Sequence, residues 1–124
     1  MDVLNRMLEA AVSGGIVLDL QVIRPNPQVE LDRRVVGEIE GAQLFRMADV
    51  ATAAIDARVE AGDLAEEAVD DHDVRKHYPN GPDLVDDVAG SKRCLPEAFV
   101  HVAQAIEEAL VLRERCRLRR LRVS

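Results

Sequence analysis

Aromatic side chains are scarce in this chain: Phe45, Tyr78 and Phe99 are all there are, and tryptophan is absent. Binding of single-stranded nucleic acid by base stacking needs exposed aromatic faces, so this scarcity argues against that mode. The core has to be built from Val, Leu, Ile, Ala and Met. Cysteine is nearly as rare. Cys94 and Cys116 stand alone, with no CxxC pair, and read as reduced structural thiols. Residues 1–11 carry no apolar leader core, and no apolar run approaches the ~18 residues of a membrane span. A cytoplasmic protein without membrane contact is the expectation.

Catalytic signatures are missing too. There is no GxxxxGK[ST], GxGxxG, HExxH or GxSxG. Gly14-Gly15 precedes a strand pattern, whereas a phosphate-cradling loop follows one. These absences point away from an enzyme, and no cofactor is implied.

What is present is an acidic chain of 124 residues, one domain (1–124) by length, 48% hydrophobic and 31% charged, with a net charge of −7. The charge is divided unevenly. Residues 113–124 hold six Arg and one Glu, whereas residues 60–87 hold ten acids against Arg75 and Lys76. An acidic body with a basic end is poorly suited to general nucleic-acid binding, which needs clustered cations.

Hydrophobic periodicity predicts the elements. Val3, Leu4, Met7, Leu8 and Ala11 share a face of a helix over 2–13. Residues 16–23 alternate as a strand, with Ile16, Leu18, Leu20 and Val22 on one side. Arg24-Pro25-Asn26-Pro27 breaks it, and the alternation of Val29, Leu31, Arg33 and Val35 suggests the return strand of a hairpin. Periodicity allows a helix over 31–39 nearly as well, and the hairpin is preferred because a lone strand leaves its backbone groups unpaired. Residues 41–61 form the clearest helix, ended by Gly62. Asp63 with Glu66 resembles a capping box opening another helix toward residue 70. Short and long helices follow at 83–89 and from Pro96. Residues 113–124 read either as a strand with one Arg-lined face or as a continued helix ringed by Arg. The resulting fold class is α+β, mainly helical, with four to five helices on a small antiparallel β-hairpin and a C-terminal strand as one of the two readings.

Three groups of residues raise functional questions. Asp70, Asp71, His72 and Asp73, with His77 nearby, have metal-binding chemistry but match no ligand spacing. Cys94, His101 and Cys116 make a catalytic or zinc site only if the fold gathers them. Val50, Ala51, Ile55 and Val59, followed by Ala61-Gly62-Asp63-Leu64, resemble the recognition helix and turn of winged-helix regulators over about 20 residues. That helix departs from the pattern by carrying Asp49, Asp56 and Glu60 among its cations.

The Arg-rich end is the most informative feature. Arg113, Arg115, Arg117, Arg119, Arg120 and Arg122 are the candidate partner-binding residues. They suit an acidic protein surface, including residues 60–87 of this chain or of a second copy. The expected function is a non-enzymatic interaction or assembly subunit, such as a small structural or accessory protein of a phage or mobile element. The alternative is a DNA-associated regulator using residues 41–64 or an Arg-to-phosphate contact.

Overall fold

The computed structural model describes residue 6 and residues 12–124. Most of the helix expected over 2–13 falls outside the described residues. The elements run β1 (Ile16–Leu31), β2 (Arg34–Glu38), α1 (Ala42–Glu60), β3 (Leu64–Tyr78), α2 (Gly81–Ala89), α3 (Glu97–Gln104) and β4 (Leu110–Val123). Four strands form one antiparallel sheet in the order β2-β1-β4-β3.

This corrects the expected fold class. The chain is mostly antiparallel sheet, 46% strand and 32% helix, with three helices among the described residues. Two segments account for the difference. Residues 64–70 are the start of β3, not part of a capped helix, and the helix after Pro96 stops at Gln104 so that Leu110 opens β4. Val69, Asp71 and Asp73 alternate with Asp70 and His72 along β3, and each faces a β4 partner. Cross-strand pairing therefore overrides the local capping pattern. The strand reading of residues 113–124 holds, and it places Arg113, Arg115, Arg117 and Arg119 on one side.

The hairpin also turns at a different place. β1 continues through Arg24–Pro27, where its ladder with β4 skips from Ile23 to Gln28. Prolines lack the N–H a ladder needs, so they sit in this irregularity. The Arg24–Pro25 peptide is cis. The reversal comes at Asp32-Arg33, between the paired Leu31 and Arg34. Both residues have positive φ, 50° and 67°. That is the backbone of a two-residue hairpin turn whose twist matches its strands.

The sheet is covered on both faces, but at opposite ends. α1 lies over the front face, where Ile55 packs on Val17, Leu64 and Leu121. α2 and α3 lie over the back face at the other end, where Leu84, Val88, Phe99 and Ala103 pack on Val29, Ile39, Leu110 and Leu112. Each fully buried aliphatic side chain contributes about 1.5–3 kcal/mol. Asn80 caps α2 by accepting the Asp83 N–H at 2.8 Å. Gly81 is needed at the α2–α3 contact, because a Cβ there would lie 1.6 Å from the Ala103 carbonyl oxygen.

Candidate functional site

The staggered cover leaves two open areas of sheet, one on each face. Their chemistry follows from the β4 register.

On the front face, β4 presents Arg113, Arg115, Arg117 and Arg119, and β3 answers with carboxylates. Arg115 reaches Asp73 at 3.2 Å, and Arg117 grips Asp71 through two bonds of 2.8 and 2.9 Å. Arg119 is buried beneath α1 and donates to Glu66 at 2.6 Å and to Asp56 at 2.8 Å. Arg113 bonds the Gln28 side chain and lies 3.9 Å from Glu30. On the back face, Arg120 and Arg122 share Glu67, at 3.1 and 2.7 Å, and Arg122 also holds the Gly14 carbonyl at 2.8 Å. All six candidate arginines thus have partners within the chain. The basic end docks on the acidic stretch of its own chain.

The electrostatics follow this pairing. The Arg117 hydrogen bond holds the Asp71 carboxyl below its ordinary range. The Arg122 hydrogen bond does the same for Glu67. Burial alone would lower the Arg119 guanidinium, but its bonds to Asp56 and Glu66 outweigh that and raise it.

The remaining candidates are dispersed by the same alternation. Asp71 and Asp73 point to the front, while Asp70 and His72 point to the back. His72 Nδ1 is enclosed and lies 3.0 Å from an Asp70 oxygen, without forming a hydrogen bond of good geometry. Among the described residues no three His, Cys, Asp or Glu side chains can hold a metal. Cys94 is exposed beside an isolated bridge to Glu40, His101 is on α3, and Cys116 is buried in β4. Burial pushes the Cys116 thiol up, the opposite of an activated nucleophile. On α1, Asp49 is paired with Arg24 and Asp56 with Arg119. Phe45, Ala48, Ala51 and Ile55 form its buried face.

A charged group that the sequence does not single out lies in the core. Glu114 is 2% exposed, and Arg93 donates to both its oxygens at 2.7 and 2.8 Å. Lys76 stands 3.5 Å away. Alternation alone puts Glu114 on the side of Leu112 and Cys116, and that placement is the signal in the sequence.

The back face holds the less expected feature. Ile16, Leu18 and Leu20 of β1 lie where neither α2 nor α3 reaches, and they are 40%, 61% and 56% exposed. Across the ladder they face Arg122, Arg120 and half-buried Leu118. Their intervening neighbour Val17 is buried under α1. β2 pairs with β1 only at 28–31, so among the described strands none lies along the outer edge of residues 16–23. An apolar strip, a free strand edge and a charged border coincide there.

Comparison with protein-family models, with curated proteins and with solved structures finds no match. No helix among the described residues is long and apolar enough to cross a membrane.

Proposed function

We propose that this chain is a non-enzymatic protein–protein interaction or assembly subunit, and that residues 16–22 of β1 are its contact surface. The observation carrying this reading is the exposure of Leu18 and Leu20 on a strand whose outer edge lacks a partner strand among the described residues. A free, apolar strand edge favours pairing with another chain. Arg120 and Arg122 lie across the ladder from Leu18 and Ile16 and provide a polar rim. Arg113, Arg115, Arg117 and Arg119 act indirectly, by fastening β4 to its neighbours: to β1 through Gln28 and Glu30, to β3 through Asp73, Asp71 and Glu66, and to α1 through Asp56.

The test is a photo-crosslinking residue at Leu18, activated in the native cell. An interaction subunit gives a discrete crosslinked band that disappears when Leu20→Lys is added. The absence of any discrete band contradicts the reading.

A further inference from the structure

Resting on that reading, we infer that the occupant of the β1 edge is a second copy of this chain, paired antiparallel through residues 16–24 about a twofold axis at Leu20. The segment is complementary to itself. With Leu20 opposite Leu20, Leu18 faces Val22, Val17 faces Ile23, and Asp19 faces Gln21. Ile16 then faces Arg24, which its own Asp49 already holds through two bonds of 3.3 and 3.1 Å. No like charges meet.

Within one copy the Gln21 amide already donates to the Asp19 carboxylate at 2.8 Å. The paired strand offers the same donor and acceptor across the axis. Other registers fare worse. An axis at Asp19 sets two carboxylates opposite one another, which is destabilising. A one-residue slip turns one copy's apolar strip to the opposite face of the joined sheet.

In the register centred on Leu20, the Ile16, Leu18 and Leu20 strips of both copies join into one apolar band on the back face. The four-stranded sheet becomes an eight-stranded one, with β1 beside β1. An isologous contact of this kind closes on itself and stops at the dimer. One short strand pair is a small interface, so association depends on concentration.

The experiment uses the full chain with exposed Cys94 replaced by serine. Sedimentation should show a mass rising with concentration toward twice that of the 13.7 kDa chain. Leu20→Lys should hold the mass at that of the monomer with an unchanged far-UV spectrum. Leu18 and Leu20 are both exposed, so substitutions at either position keep the fold. Register is read by oxidation. Leu20→Cys should form an interchain disulfide, because the two positions face each other across the axis. Leu18→Cys should not, because position 18 faces position 22.

A chain that stays monomeric at its highest soluble concentration overturns the inference. Equal crosslinking at positions 18 and 20 overturns the register. A Leu8→Cys, Leu20→Cys double variant that closes a disulfide within one chain overturns it in favour of residues 1–11 as the cover. A photo-crosslinked band at a mass other than the dimer's refutes the second copy and leaves the interaction reading standing. No discrete band at all refutes both.

Discussion

At the scale of residues, two places are tightly constrained: a buried carboxylate and a left-handed turn. Glu114 sits among Leu112, Cys116 and the back-face core with its negative charge almost fully withdrawn from water. Such a charge is tolerable only because Arg93 closes on both its oxygens and Lys76 stands near. Arg93→Ala leaves the carboxylate buried without its guanidinium. The expected loss is about 3–5 kcal/mol of unfolding free energy in a urea titration. A Glu114→Gln, Arg93→Met double variant should recover part of it, because the buried charge is then gone. The second case is the Asp32-Arg33 turn, where non-glycine residues occupy the left-handed region. Replacing the pair by Asn-Gly should raise stability by about 1 kcal/mol, read from the same titration, since glycine adopts that backbone freely.

At the scale of elements, the β3–β4 pair holds the basic end in place. Glu67 and Asp71 titrate below their ordinary range because arginines hold their ionised forms. Groups with lowered folded pKa values contribute stability above the unfolded pKa and lose it as the pH falls through the folded value. The urea midpoint should therefore drop on acidification below about pH 4, the ordinary carboxylate range. An Asp71→Asn, Glu67→Gln variant should be weaker at neutral pH and converge with the parent in acid. High salt should shrink the difference as well, because these pairs are exposed.

The same elements show what could be read from residue order. The alternation of Arg113 to Arg119 offers a strand with an arginine face as one of two readings, and the ladder to the acid-rich stretch decides for it. Residues 63–70 mislead because Asp63 and Glu66 mimic a capping box, while the competing interaction is a ladder to residues some 50 positions away in sequence. Arg24–Pro27 misleads because prolines usually end a strand, and here they occupy an irregularity within one. Glu114 is legible only once β4 is known to be a strand. The apolar strip is visible as the alternation of Ile16, Leu18 and Leu20. Its exposure depends on where α2 and α3 come to rest, and period-2 patterning does not encode that.

At the scale of the whole molecule, the staggered placement of helices decides the surface. α1 takes the front face at one end and α2 with α3 take the back face at the other, so part of each face stays open. The front opening is filled by paired charges, and the back opening is apolar beside a free edge. β4 is hydrogen-bonded to strands on both sides, whereas residues 16–23 of β1 are bonded to β4 alone among the described strands. Self-association should therefore change the exchange of one strand and not the other. The most direct measurement is amide hydrogen exchange of the full chain at low and high protein concentration. Amides within residues 16–23 should slow markedly as concentration rises, while those of residues 110–123 keep their rates. Unchanged exchange across residues 16–23 at every concentration would contradict self-association through this edge.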